Sequence, residues 1–256
     1  RVEIVIGNKK EYIKMDNVES VHWWYKSLHC LTLKAIQKRF NRLNISILDA
    51  GCGTGGMLEY LRRHRYCILE GFDISVEAIN IAKLKKLDVR LGNLTKYKYK
   101  QNKYDVIISN DTMYFFNNKE QKNILDEFYK SLNTNGLVIL NLPSFDSFKG
   151  IHDKAVGIQK RFTYPMVVSM VDTSKYEIIE KKYWPFLLSP VVFFVRSVQR
   201  VVLTVNKNIK IKSDISIPTS FVNKILFYLV RFENNLFTKK PFGSSLFLVL
   251  RKITDN

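Results

Sequence analysis

The segment Ile47-Leu48-Asp49-Ala50-Gly51-Cys52-Gly53-Thr54-Gly55 restricts the fold more than any other part of the chain. The apolar run Ile45 to Ala50 reads as a strand buried on both faces, as in a parallel sheet. Glycines follow at alternate positions, and a helical pattern, Met57 to His64, comes next. Glycine at such a turn lets the backbone reverse sharply and approach a ligand closely. In open parallel sheets that ligand lies outside the carboxyl ends of the strands, at the topological switch point. Dinucleotide sites usually space their glycines G-x-G-x-x-G, with a pyrophosphate on the helix N-terminus. Here the spacing is Gly51-x-Gly53-x-Gly55, with Asp49 beside it. A carboxylate there repels a pyrophosphate and suits a cationic ligand, such as one bearing an ammonium and a sulfonium.

The pattern downstream repeats strand and helix. Strands are expected at Cys67 to Phe72, Val89 to Leu91, Tyr104 to Ser109 and Leu137 to Leu142. Helices are expected at Val76 to Lys86, opened by Ser75 as N-cap, and at Glu120 to Leu132. Residues 17–43 read as one helix, with Leu28, Leu31, Ala35, Ile36 and Phe40 at helical spacing. Such alternation predicts an α/β fold: a Rossmann-like, mostly parallel sheet with helices on both faces, an N-terminal helical lid and a C-terminal cap. The divisions are residues 1–44 for the lid, 45–143 for the core, and 144–256 for the cap and final strands. Residues 144–165 read as a long loop, and Lys175 to Tyr183 as a strand. Ser245 to Arg251 reads as a last strand at the sheet edge, with an antiparallel direction open to it.

Three further groups converge on the same crevice. Asp73 closes the second strand and can accept both hydroxyls of a ribose. In Gly92-Asn93-Leu94 an amide can meet an adenine edge, and Asn110 ends the strand that begins at Tyr104. Taken together, Asp49 to Gly55, Asp73, Gly92-Asn93 and Tyr104 to Asp111 resemble, in order and spacing, the motifs of class I methyltransferases that use S-adenosylmethionine (SAM). The resemblance implies SAM as cofactor. It implies Asp49, Gly51, Cys52, Gly53, Gly55, Asp73, Ile74, Asn93 and Asn110 as its binding residues. Many relatives have Asp where this chain has Asn93.

The flanks resemble one bacterial and archaeal group of these enzymes. Glu19-Ser20-Val21-His22-Trp23-Trp24-Tyr25 is similar to its E-x-x-H-W-W-F/Y entry segment. Leu142 to Phe145, His152-Asp153, Gly157 and Arg161 to Thr163 resemble its insertion, and Pro241 to Leu246 its closing segment. The aromatic trio suits a water-excluding lid over the cofactor, with Trp23 touching it, or else core packing. Lys26 and His29 share a helix face, and either can hold the SAM carboxylate. His152 beside Asp153 is the expected base for the acceptor. The resemblance implies methyl transfer to oxygen on a sugar, a glycolipid or a related small molecule. Many relatives carry a His at the position of Ile158 and Glu-His near Tyr114-Phe115, so the base or the acceptor here is expected to differ, or the transfer to proceed by proximity alone.

The formal net charge is +18, with 24 Lys and Arg against 16 acids in residues 1–150 and 17 against 7 thereafter. The excess is spread along the chain and favours an acidic partner, or simply solubility. Apolar residues crowd Trp184 to Val195 and recur in the amphipathic pattern Phe221 to Phe237, where Val222, Ile225, Leu226 and Leu229 share a face. Arg196, Arg200, Lys207, Lys210 and Lys212 stand near them. That pairing fits peripheral contact with an anionic membrane, or a cap or dimer interface burying the same residues. Three cysteines without ligand spacing give no metal site. No apolar run reaches the roughly 18 residues of a membrane span. The N-terminus shows no signal-peptide core, so a cytoplasmic protein, or one at the inner membrane face, is expected. Other readings stay open. A nucleic-acid methyltransferase fits the charge but lacks the N/D-P-P-Y/F and Pro-Cys patterns. A SAM-binding protein without turnover fits the departures, and an NAD enzyme is disfavoured by Asp49.

Overall fold

The computed structural model describes residues 9–205 and 217–253. Its sheet grows outward from β1 (Ser46–Ala50), the strand that leads into the glycine turn. β1 pairs in parallel with β2 (Ile68–Asp73) on one side and β4 (Tyr104–Asn110) on the other. β3 (Val89–Leu91) extends one edge, and β5 (Leu132–Pro143) continues the sheet beyond β4. With β6 (Tyr176–Trp184) and β7 (Ser245–Lys252), the order among the described residues is β3-β2-β1-β4-β5-β7-β6. The chain leaves β1 in one direction and returns to build β4 in the other, so the crevice between them is the switch point.

Side-chain alternation along the strands gives two cores. Leu48, Ile107, Leu140 and Leu248 pack with Leu125 and Phe128 of α5 (Asn118–Ser131). Ile47, Val106, Ile139 and Phe247 pack with Leu28, Leu31 and Ile36 of α2 (Trp23–Gln37). α3 (Gly56–Arg63) and α4 (Val76–Leu84) pack against β2, and α4 also against β3. Ser75 caps α4, its hydroxyl accepting from Ala78 N at 3.2 Å. Asn117 and Glu120 form a reciprocal capping box at the start of α5.

Four expectations need correction. Residues 17–43 are not one helix: α1 (Lys9–Glu19) stops, and α2 starts afresh with the His22 imidazole accepting from Trp24 N at 3.2 Å. The expected loop 144–165 contains a 3-10 turn, Asp146–Phe148, α6 (Ile151–Val156) and the first residues of α7 (Tyr164–Met170). β7 is antiparallel but lies inside the sheet, between β5 and β6. Leu246 to Leu250 are wholly buried and need a neighbour on each side, whereas the charged β6 tolerates an edge. Strand β5 begins at Leu132, not Leu137; a positive φ of 60° at Asn135 and a register shift between Tyr104 and Val106 absorb the Asn135-Gly136 turn.

The insertion and the closing segment meet at one ion pair. The buried Arg161 grips Asp153 in bidentate fashion, Nε to Oδ1 at 2.6 Å and Nη2 to Oδ2 at 3.0 Å. Its Nη1 donates to Ser144 O at 3.1 Å and Ser244 O at 3.2 Å, just beyond β5 and just before β7. Next door, a Cβ on Gly243 would lie 2.4 Å from the backbone nitrogen of Trp184. Gly243→Ala must therefore displace backbone, and we expect it to lower unfolding free energy by about 2 kcal/mol in a urea titration.

Candidate active site

Gly51, Gly53 and Gly55 have φ of +89°, +53° and +83°, the left-handed region where side chains are strained. Space forbids a side chain at the first as well, since a Cβ on Gly51 would sit 2.4 Å from Thr112 Cγ2. Gly51 N and Cys52 N both donate to Phe72 O, at 2.8 and 3.0 Å, which ties the turn to the end of β2. Asp73 then locks it. Its Oδ2 accepts from Gly53 N and its Oδ1 from Ser75 N, each at 2.9 Å. The Cys52 side chain packs among Leu58, Ile79 and Ala82, with its Sγ donating to Gly53 O at 3.8 Å.

Helix α1 covers this turn. Tyr12 lies beside Asp73 and Ser75. Met15 faces Gly53, where a Cβ would meet its Cε at 2.8 Å. Glu19 is buried, with Oε2 accepting from Thr54 Oγ1 at 2.8 Å. Lys85, just after α4, pairs with Asp16 of α1 and donates to Thr54 O at 3.0 Å, clasping helix and turn together.

The electrostatics of the site are dominated by buried acids. Burial holds Asp49 well above the usual carboxylate range, and the negative charges of Glu19 and Asp73 push it further. Burial also raises Asp73, opposed by the N–H groups it accepts from. Glu19 is pushed up to about 7 by burial, against the Thr54 hydrogen bond. His29, 3.9 Å from Glu19 and just as enclosed, is pushed down to about 3 and stays neutral. Asp111 follows β4 with a φ of +53°, and burial pushes it to about 7, opposed by Asn141 and Arg161. Glu19, Asp49 and Asp73 lie within one another's fields, and such unbalanced negative charge fits a ligand that brings positive charge. The sulfonium and ammonium of SAM satisfy that requirement. Asp49 and Asp73 would hold its charged and ribose ends, with the glycine turn giving close backbone access. Asn110 adds a buried Oδ1 without a hydrogen-bond partner, aimed from the end of β4.

Other expected residues sit differently. Asn93 Oδ1 accepts from Thr95 N and Oγ1, at 2.9 and 2.8 Å, so its amide oxygen already serves its own turn. Ile74 is half exposed after Asp73. Trp23 N donates to Asn223 Oδ1 at 2.9 Å, on the side of α9 (Ser220–Leu236). Lys26 Nζ lies over the Phe227 ring of α9 at 4.4 Å. Trp24 stacks on Trp184 at 5.3 Å inside the second core. The cover over the turn is thus α1, while the tryptophans pack α2. Both oxygens of Asp153 are engaged by Arg161, and Oδ2 also accepts from Gly150 N at 3.1 Å. Half-buried His152 stands beside it on α6. Glu19 and Asp111 fall within the recognised motifs, and in sequence their signal is only an acidic residue at a helix end and one just past a strand.

A family model described as a methyltransferase domain matches residues 25–188. Among curated proteins, the carboxy-S-adenosyl-L-methionine synthase of Campylobacter jejuni is 31% identical over 104 residues, 39% of this chain and 44% of that protein. The malonyl-[acyl-carrier protein] O-methyltransferase of Bacillus cereus is 27% identical over 152 residues, 57% of this chain and 53% of that protein. The chain thus spans less than half the length of the first of these relatives. Among solved structures, a putative methyltransferase bound to the Haloferax volcanii Trm112 activator superposes with a TM-score of 0.60 at 16% identity, over 98% of this chain and 99% of that one. A putative sarcosine dimethylglycine methyltransferase from Galdieria sulphuraria gives 0.60 at 13%, over 95% and 97%. At these identities the likeness is one of fold. The chain belongs to the class I SAM-dependent methyltransferases.

The buried acids set opposite pH trends for binding and folding. A cation favours ionised carboxylates, so SAM affinity should rise from pH 6 to 8 as Glu19 loses its proton near pH 7, with proton release visible by calorimetry in two buffers. In the ligand-free fold Glu19 titrates above its ordinary 4.5, so the folded state binds more protons between those values. Its stabilising share is complete below about 4.5 and is lost as pH climbs through 7. Thermal unfolding of the free protein should therefore shift to lower temperature from pH 5 to 8, and Glu19→Gln should flatten both trends.

Proposed function

We propose that the chain transfers the methyl group of SAM to a hydroxyl oxygen of a saccharide or related small acceptor, free or lipid-linked. Asp111 is the observation that supports this reading. A hydroxyl sheds its proton as it is methylated, and a carboxyl held near pH 7 is suited to take it. SAM, when bound, supplies an electrophilic methyl group on its sulfonium. Asp49 and Asp73 orient it, and the turn from Gly51 to Gly55 brings backbone close to it. Asn141 Nδ2 donates to Asp111 Oδ2 at 3.0 Å, while Trp184 Nε1 donates to Asn141 Oδ1 at 2.9 Å and fixes the amide. Oδ1 is then the oxygen this reading gives to the acceptor hydroxyl. Buried Tyr114 and half-buried Tyr25 neighbour Asp111 and limit water there. Asp111, not the His152–Asp153 pair, is the base this reading prefers, because Arg161 already holds the Asp153 carboxylate.

Asp111→Asn should lower kcat about 10²–10⁴-fold on a hydroxyl acceptor and abolish the rise in rate through pH 7, with SAM affinity retained. A screen pairing hydroxyl with amine acceptors supplies the substrate. Turnover confined to amines, or an unchanged rate in the variant, would refute the oxygen-base assignment.

A further inference from the structure

Amphipathic helices of globular domains usually turn their apolar face inward. α8 (Ser189–Val205) does the reverse. Val191, Phe194, Val198 and Val201 recur at helical spacing along its outer side, with Val191, Phe194 and Val201 at 62%, 68% and 62% exposure. Its inner side is polar. Gln199 Oε1 accepts from Ile151 N at 3.2 Å, and Arg200 Nη1 donates to Lys149 O at 3.0 Å. α9 repeats the arrangement. Phe221, Ile225, Tyr228, Phe232 and Leu236 form an outward stripe, Phe221 at 74% exposure. It docks through Asn223, Phe227, Val230 and Glu233, the last accepting from Phe186 N and Leu187 N just ahead of α8.

We propose that the outer faces of α8 and α9 seat the protein on an anionic phospholipid bilayer. Exposed apolar stripes of this kind mark a binding face. Each helix has 17 residues, and none among the described residues is long and apolar enough to cross a membrane. Lying in the interface plane is the arrangement such a helix supports. Charge chooses the occupant. Residues 185–244 hold nine Lys and Arg against two acids. One of those acids, Glu233, is buried against Lys240. Exposed Lys224 and Arg231 flank the α9 stripe; Lys207, Lys210 and Lys212 lie outside the described residues. A second copy of the chain would bring the same excess of cations to the contact, whereas anionic headgroups neutralise it. The seat rests on no particular acceptor.

Flotation of the full chain tests this, with vesicles of phosphatidylcholine alone or with phosphatidylglycerol added. The protein should rise with the anionic vesicles only, and less so at high salt. Phe194→Ser with Val201→Ser, and separately Phe221→Ser with Phe232→Ser, should each cut partitioning about tenfold. These exposed positions should leave SAM affinity and the circular dichroism spectrum unchanged, which separates lost seating from lost folding. Failure to float with anionic vesicles would overturn the proposal. So would flotation indifferent to the substitutions, or a dimer in sedimentation that the same substitutions dissociate.

Discussion

Negative charge taken out of water beside the carboxyl ends of β1, β2 and β4 is the constraint to which the surrounding structure answers. Asp49, Asp73 and Asp111 are positioned by three adjacent strands, and α1 adds Glu19 from above. Burying an unpaired carboxylate costs several kcal/mol unless hydrogen bonds or opposite charge offset it. Asp73, Asp111 and Glu19 receive partial relief. Asp73 has two backbone N–H groups, Asp111 has Asn141, and Glu19 has Thr54. The rest appears as raised proton affinity, which is the form an unmet demand for positive charge takes in a protein. Lys85, a cation close by, is spent on Asp16 and the Thr54 carbonyl, where it fastens the cover.

A second line of contacts connects the entry segment to Asp111. Trp24 stacks on Trp184, Trp184 donates to Asn141, and Asn141 donates to Asp111. Each link removes freedom from the next: a stacked indole fixes the direction of its N–H, and that N–H selects one orientation of the amide. Asn141 is wholly buried, so a flipped amide would leave two polar groups unsatisfied. Trp24, read from sequence as part of a lid, therefore reaches Asp111 through Trp184 and Asn141, and acts there through rigidity.

What could be read from sequence was what local chemistry determines. The glycine turn, the strand before it, Asp73 closing β2 and the Ser75 cap depend on residues within a few positions of one another. The break between α1 and α2 was hidden because an imidazole, not a usual capping side chain, starts the second helix. The interior place of β7 was hidden because an apolar run gives burial but no order of neighbours. Glu19 and Asp111 were unreadable for another reason. An acid becomes a buried group of altered proton affinity only when distant segments enclose it, here α1 against the turn and Asn141 and Arg161 against β4's end.

The two cap helices carry the same limit one step further. Periodicity reveals an apolar face but not which way it points. In α8 and α9 the direction is set by the polar side: Arg200 and Gln199 satisfy the backbone of the insertion, and Glu233 satisfies two N–H groups and Lys240. Turning either helix over would bury its apolar stripe but strand those groups. Breaking a buried pair such as Glu233–Lys240 alone costs about 3–5 kcal/mol. The polar contacts also hold the insertion that encloses Asp111 through Arg161. A helix that must keep its polar face inward for the site leaves its apolar face to whatever lies outside the protein.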